Sequence, residues 1–350
     1  MTLEAGVLST IGNTPLVVLK NLYPTASTVI YGKLEMLNPG GSTKDRTALL
    51  MLSKAMENGE IDHNTTVIES SSGNMAIGLA LICRYFNLNL IVVTDPKINQ
   101  HTIAILQAYG AHIDRVTEAD PGGNYINKRL ARVRHLRNAI PNSYWPNQYS
   151  NALNPQAHHQ TMSEIVASCP EPPDYILVAT GTCGTLMGCA SYVREHHLKT
   201  KIVAVDAMGS TIFGHSKGRR LIPGHGSGRK SDFLDESCIE YVFRMSDHDC
   251  VVGCRRLLQR ESILAGGSAG AVVMAAEKIQ PLVPKHSTCA LIFSDSGERY
   301  LDTVYNDSWV EETFHTKHKT EPVQSGPICI SKSRPEVVEK HDTLAAQQAT

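Results

Sequence analysis

Short runs of β-branched and aliphatic residues alternate along the chain with longer stretches whose apolar positions recur at helical spacing. Val29–Leu34, Thr66–Glu69, Leu90–Thr94, His112–Val116, Tyr175–Ala179, Lys201–Asp206 and Ala290–Phe293 read as strands. Strands separated by helix-length segments predict parallel sheets covered by helices, an α/β architecture. Between Leu90 and Val116 the order is strand, a helix over Thr102–Tyr109 that Gly110 ends, and strand again, which makes one crossover unit; a second begins at Tyr175. The polar, proline-bearing segment Asn142–Pro155 interrupts this rhythm and predicts a crossing between domains. From about His315 the apolar periodicity stops, so residues 315–350 are expected to form a weakly ordered tail.

With 350 residues, 42% of them hydrophobic, the chain can bury the cores of two domains. Its 33 Lys and Arg against 34 Asp and Glu leave a formal charge of -1, which provides no general field for nucleic acid or an anionic membrane. The cysteines are scattered without a CxxC pair, so free thiols in a reducing cytoplasm are expected. The adjacent pairs His158-His159 and His196-His197 lack metal-ligand spacing and read as surface histidines, and no metal site is expected. The first residues lack a basic-then-apolar leader, and no run of about 18 apolar residues occurs, so a soluble, unexported protein is the expectation.

Four glycine-bearing loops stand out as places for chemistry. Asn38-Pro39-Gly40-Gly41-Ser42-Thr43-Lys44-Asp45-Arg46 is a tight turn that delivers Lys44 onto the start of a helix, without the GKS or GKT of a Walker A loop. Ser70-Ser71-Ser72-Gly73-Asn74 precedes a helix over Met75–Phe86; its hydroxyls exceed what a cap needs, and with the helix N-terminus they suit a carboxylate. Gly181-Thr182-Cys183-Gly184-Thr185 opens a helix near Leu186, and its backbone N–H groups and threonine hydroxyls suit a phosphate monoester. A dinucleotide site competes with this reading, since Asp206 ends the next strand, but Gly181, Gly184 and Gly188 do not follow GxGxxG. Ala265-Gly266-Gly267-Ser268-Ala269-Gly270 leads into a helix over Ala271–Ile279; its small residues admit a planar group, and Ser268 offers a hydroxyl. Cys183 has no histidine base beside it in the sequence and reads as packed rather than nucleophilic.

A lysine at a helix start, a carboxylate loop, a phosphate loop and a late serine, in that order, are what a pyridoxal phosphate enzyme needs. With Ile11-Gly12-Asn13-Thr14-Pro15-Leu16 before them and SDSGERYLD after them, the sequence resembles the fold-type II cysteine synthase and cystathionine β-synthase superfamily over about residues 8–310. The resemblance implies two three-layer domains with mostly parallel twisted sheets covered by helices. Residues 1–40 plus 146–314 would form the larger, cofactor-binding domain, and 41–145 a smaller mobile domain carrying the lysine and the substrate loop. It implies Lys44 as the catalytic lysine joined to the cofactor, Asn74 as the partner of the cofactor's phenolic oxygen, and Gly181, Thr182, Cys183, Gly184 and Thr185 as its phosphate cup. Ser268 would face the pyridine nitrogen, where a neutral hydroxyl makes a moderate electron sink suited to β-elimination and replacement. Ser71, Ser72 and Gln148 would hold the substrate carboxylate. A homodimer acting on small amino-acid substrates is also implied.

Further stretches, among them VVTDPKI, PGGNYINKRLARV, YWPNQYSNALN, IVAVDAMGSTIFG and NDSWV, are similar to the N-(2-amino-2-carboxyethyl)-L-glutamate synthases of siderophore pathways. Those enzymes join O-phospho-L-serine and L-glutamate on the way to 2,3-diaminopropionate. The likeness implies Arg129 as a cation near a departing phosphate and Tyr149 as a hydroxyl donor where acetylserine-using relatives have phenylalanine. Arg129 also fits a solvated helix face beside Lys128, Arg132, Arg134 and Arg137. Gly181 stands where those synthases have serine, a departure that tilts the donor toward O-acetylserine and keeps cysteine synthase activity open. The loop Gly224–Lys230 is expected to place Arg229 at the site entrance.

Overall fold

The computed structural model describes residues 6–24, 26–120, 125–315 and 328–329. The first part of the chain contributes β1 (Leu16–Val18), β2 (Val29–Leu34), α1 (Lys44–Glu57), β3 (Thr66–Ser70), α2 (Asn74–Tyr85), β4 (Asn89–Thr94), α3 (Gln100–Ala108), β5 (His112–Arg115), α4 (Ile126–Ala139) and β6 (Ser143–Tyr144). The rest contributes α5 (Leu153–Ser168), β7 (Tyr175–Ala179), α6 (Gly184–Glu195), β8 (Lys201–Ala207), β9 (Ile239–Met245), α7 (Asp247–Glu261), α8 (Gly267–Ile279), β10 (Thr288–Phe293), α9 (Asp307–Phe314) and β11 (Ile328–Cys329).

Two sheets result. One has four parallel strands in the order β5-β4-β3-β6; the other has seven in the order β1-β2-β10-β7-β8-β9-β11, parallel from β2 to β9 with antiparallel edges. Parallel strands are covered on both faces, which is why β7 reads as an unbroken apolar run. Its Leu177 packs with Val203, Val205 and Phe243 under α7 and α8, while Ile176 and Val178 face the opposite way, onto Met162 and Ile165 of α5 and Leu186 and Cys189 of α6. In the smaller sheet Val67, Leu90 and Val92 pack with Met51, Leu52, Ile77 and Leu79 of α1 and α2. Its other face is thinner, with Ile68 and Val93 meeting Val133 of the otherwise basic α4. Helices α7 and α8 pack backbone to backbone: a Cβ at Gly253 would overlap the Gly270 carbonyl, and one at Gly270 the Cys250 carbonyl.

All seven expected strands form, with ends displaced by a residue or two. The short β1 and β6, and β9, were not anticipated. The segment Asn142–Pro155 contains β6, still paired in the smaller sheet, and the start of α5, so it is more structured than a plain crossing. Helices α2, α6 and α8 begin at Asn74, Gly184 and Gly267, earlier than the apolar periodicity suggested, because their first turns lie inside the glycine loops. Ile328–Cys329 pairs antiparallel with β9; the rest of the expected tail, from residue 316, lies outside the described residues. No helix among the described residues is long and apolar enough to cross a membrane. The loops that follow β3, β7 and β10 at their C-terminal ends carry the residues considered next.

Candidate active site

Lys44 is the first residue of α1, and its turn is pinned to the end of β10. The Thr43 N–H donates to the Ser294 carbonyl at 2.8 Å, Ser42 bridges to Asp295, and Gly41 takes a left-handed φ of 78° that permits the turn. Desolvation lowers the lysine's pKa, against the upward pull of Asp295 and Glu35. Two residues further along α1, Arg46 forks onto both oxygens of Glu35 at 2.7 and 2.8 Å and onto Glu164 at 2.7 Å, and Lys33 also reaches Glu164 at 2.6 Å. These buried charges hold the start of α1 against β2 and α5.

Asn74 opens α2 opposite this turn. Its Nδ2 donates to Asp295 Oδ2 at 2.8 Å, while its carbonyl oxygen accepts from the Arg299 guanidinium, so the orientation of the amide is set from both ends. Arg299 also donates to the Gly40 carbonyl at 2.7 Å, joining the lysine turn, the asparagine and the SDSGERYLD segment. Tyr300 donates to Asp295 Oδ2 at 2.8 Å, and Asp295 Oδ1 is buried with no partner among the described residues. Ser268, buried in the first turn of α8, belongs to the same corner: the Gly266 N–H donates to the Asp295 carbonyl at 2.9 Å.

A second cluster gathers the expected carboxylate residues. Ser71 Oγ accepts from the N–H groups of Gly73 and Ala76 and thereby caps α2. Ser72 Oγ accepts from Arg129 Nη1 at 2.6 Å, and that guanidinium lies 3.2 Å from Asp95. Arg129 is therefore turned inward onto the serine loop, and its side chain is only 12% exposed, which removes the solvated-face reading. Gln148 Nε2 donates to the Ser70 carbonyl at 3.4 Å. The Tyr149 ring lies 5.3 Å beneath the Arg229 guanidinium; burial raises its phenol pKa against the lowering effect of Arg129. Arg229 itself is paired with Asp232 at 2.9 Å.

The third cluster is the Gly181–Thr185 loop. Cys183 adopts a left-handed φ of 66° at the start of α6, is buried, and has its thiol pushed up to about 12 by burial, which fits packing and not nucleophilic chemistry. Asn154 Nδ2 donates to Thr182 Oγ1 at 3.1 Å. His158 Nε2 lies 3.2 Å from Thr185 Oγ1 and 3.3 Å from Thr47 Oγ1, which links this loop to the lysine's helix. A Cβ at Gly181 would stand 2.8 Å from the Gly224 carbonyl oxygen, and one at Gly184 would overlap the Asn154 amide. A desolvated amine, a helix-start loop rich in N–H and hydroxyl groups, and two buried polar groups near Asp295 together fit a cofactor that presents an aldehyde, a phosphate and a polar ring.

The family described as "pyridoxal-phosphate dependent enzyme" matches residues 7–295. The chain belongs to that family. It is 42% identical over 305 residues to an N-(2-amino-2-carboxyethyl)-L-glutamate synthase of Ralstonia nicotianae, covering 87% of this chain and 90% of the relative. Among solved structures it is similar to an O-acetylserine dependent cystathionine beta-synthase from Helicobacter pylori, with TM-score 0.80, 31% identity, and 87% and 99% of the two chains covered. It is also similar to O-ureido-L-serine synthase, with TM-score 0.78, 30% identity, and 87% and 96% covered. The fold is accordingly that of the fold-type II pyridoxal phosphate enzymes, and the cofactor is pyridoxal phosphate.

For a pyridoxal phosphate enzyme, sequence reasoning passed over several residues of this region. His158 was expected at the surface, but it is fully buried between α5, α1 and α6, because the inward face of α5 needs a group that bonds two threonines at once. Asp206, the ribose candidate of the dinucleotide reading, is fully buried beneath the Gly181–Thr185 loop and accepts from Thr180 Oγ1 at 2.6 Å. Asp295 and Arg299 lay within a motif noted only as a whole, and Asn154 and Glu69 carried no local signal beyond adjacency to the loops.

Proposed function

We propose that the protein catalyses β-replacement on an O-activated serine: O-phospho-L-serine plus L-glutamate to N-(2-amino-2-carboxyethyl)-L-glutamate plus phosphate, a step toward 2,3-diaminopropionate. The observation that carries this reading is Arg129, a cation held against the serine loop beside Gln148, supported by the 42%-identical synthase. Bound pyridoxal phosphate supplies an electron sink that acidifies the substrate Cα–H. Lys44 would be joined to it, with Asn74, Ser268 and Gly181, Thr182, Cys183, Gly184 and Thr185 around its phenolic oxygen, ring nitrogen and phosphate. Lys44 Nζ would take the Cα proton, a role that burial favours by lowering its pKa. Ser71, Ser72 and Gln148 hold the substrate carboxylate, and Arg129 and Tyr149 receive the phosphate as the Cβ–O bond breaks. The glutamate ammonium passes a proton to the departing phosphate, its freed lone pair forms the Cβ–N bond, and the proton on Lys44 returns to Cα. We place this activity in a cytoplasmic homodimer whose residues 41–145 move against the rest.

One alternative has its own support. Gly181 and the offsetting charge of Asp95 beside Arg129 weaken the demand for a dianionic donor, which favours O-acetylserine and with it a cysteine synthase, an activity that O-phosphoserine could also feed. Adding either serine ester to the coloured enzyme should change its spectrum, and L-glutamate should restore it with the adduct found by mass. Restoration by sulfide, with glutamate inert, overturns the first reading in favour of the second.

A further inference from the structure

We infer that Glu69 is a positioning residue for the substrate-carboxylate subsite, its carboxylate fastening the Ser70–Asn74 loop to the segment that delivers Gln148 and Tyr149. The inference rests on the β-replacement reading for what the subsite binds, but the clamp itself is a matter of geometry. Glu69 is fully buried near the end of β3. Oε1 accepts from the Ser70 N–H at 2.7 Å and from Trp145 Nε1 at 3.1 Å, and Oε2 accepts from the Gln148 N–H at 3.2 Å. Segments 79 positions apart thus meet on one side chain. Gln148 answers through Nε2 to the Ser70 carbonyl, and its own carbonyl accepts from Asn154 Nδ2 at 2.7 Å, the same amide that reaches Thr182. The clamp is therefore continuous with the Gly181–Thr185 loop.

An ionised carboxylate satisfies all these donors. A protonated one turns an acceptor into an O–H donor that faces N–H groups, so the bonds from Trp145 and Gln148 weaken while Glu69 stays buried. Burial pushes Glu69 up to about 7, outweighing the lowering bonds from Trp145, Ser70, Gln148 and Asn147. Around it, Tyr144 and Tyr149 have raised phenols and stay neutral. From α4 comes Arg129, paired with Asp95 of the β4 loop, and Arg229 above Tyr149 is paired with Asp232. Glu69 is thus the group in this corner poised to titrate near neutrality.

Three measurements test the clamp. In the cofactor-loaded enzyme, Glu69→Gln should raise KM for the serine ester about tenfold, change kcat by less than about twofold, and leave the cofactor absorbance intact. Parent KM should rise as pH falls through about 7, and in the variant this dependence should vanish. Trp145→Phe removes one donor that lowers the pKa, so the inflection should move to higher pH. In cofactor-free protein carrying Trp309→Phe, Trp145 emission should titrate near the same pH, and should not when Glu69→Gln is added. Parental KM at every pH in Glu69→Gln, or Trp145 emission unchanged between about pH 5.5 and 8.5, overturns the inference. If the parent enzyme turns over neither ester, the β-replacement reading fails, and the Trp145 titration still decides the clamp.

Discussion

Removal from water acts on the Lys44 amine: desolvation outweighs Asp295 and Glu35 and lowers its pKa. Lys44→Ala should yield folded protein whose spectrum lacks the band of lysine-bound cofactor; a band of parental size would remove Lys44 from the proposed role. Gly181 illustrates a residue whose meaning changed with structure. In the sequence it is a departure from serine at the first position of the cup. In space its missing Cβ makes room for the Gly224 carbonyl, 2.8 Å from where that carbon would sit. Gly181→Ser should therefore push the Gly224 loop outward and weaken cofactor retention roughly fivefold, an overpacking cost of about 1 kcal/mol, readable by absorbance titration. Retention equal to the parent would show that the loop yields freely. The glycine was legible as a candidate site residue, but the carbonyl it accommodates, 43 positions away in sequence, was not.

Helix α1 shows the same division at the level of the element. Its Gly-Gly-Ser-Thr-Lys start is plain in the sequence, whereas the ion cluster that anchors it draws Lys33 and Glu35 from around β2, Arg46 from α1 itself and Glu164 from α5. Burying these charges is compensated only while each keeps its partner. Arg46→Met should leave Glu35 unpaired and destabilise the protein by roughly 3–5 kcal/mol in urea unfolding. A loss below about 1 kcal/mol would mean that the cluster is solvated or redundant. Periodicity could locate α1, but ion pairing across such separations leaves no periodic trace.

Across the whole molecule, burial shifts acids and imidazoles in opposing directions. It raises Asp45 and Glu69 to about 7 from 3.8 and 4.5, lowers His225 to about 4 from 6.5, and lowers His158 well below that ordinary value. A raised carboxyl contributes stability that is complete below its unfolded pKa and is lost as pH climbs through about 7. A depressed imidazole contributes stability that is complete above its unfolded pKa and is lost as pH falls toward its folded value. Between about pH 5 and 6.5 the raised carboxyls, Asp206 and Asp247 among them, and the depressed imidazoles, His248 among them, pull the urea stability of the cofactor-free protein in opposite directions. Asp45→Asn removes one carboxyl, and relative to the parent its stability should rise by roughly 1.4 kcal/mol per pH unit across that window. A variant with the parent's pH dependence would show that Asp45 ionises normally.

Glycine loops and alternating strands and helices were determined by the sequence alone, because turn chemistry and side-chain periodicity act between near neighbours in the chain; the lysine, asparagine and serine candidates came from the resemblance of those loops to a family. Only the tertiary structure decided that Arg129 faces Ser72, that His158 lies inside, and that Asp295, Arg299 and Glu69 tie the loops together. Those decisions depend on which distant segments share a low-dielectric interior, where an unpaired polar group is costly and each donor must find an acceptor wherever the fold brings one.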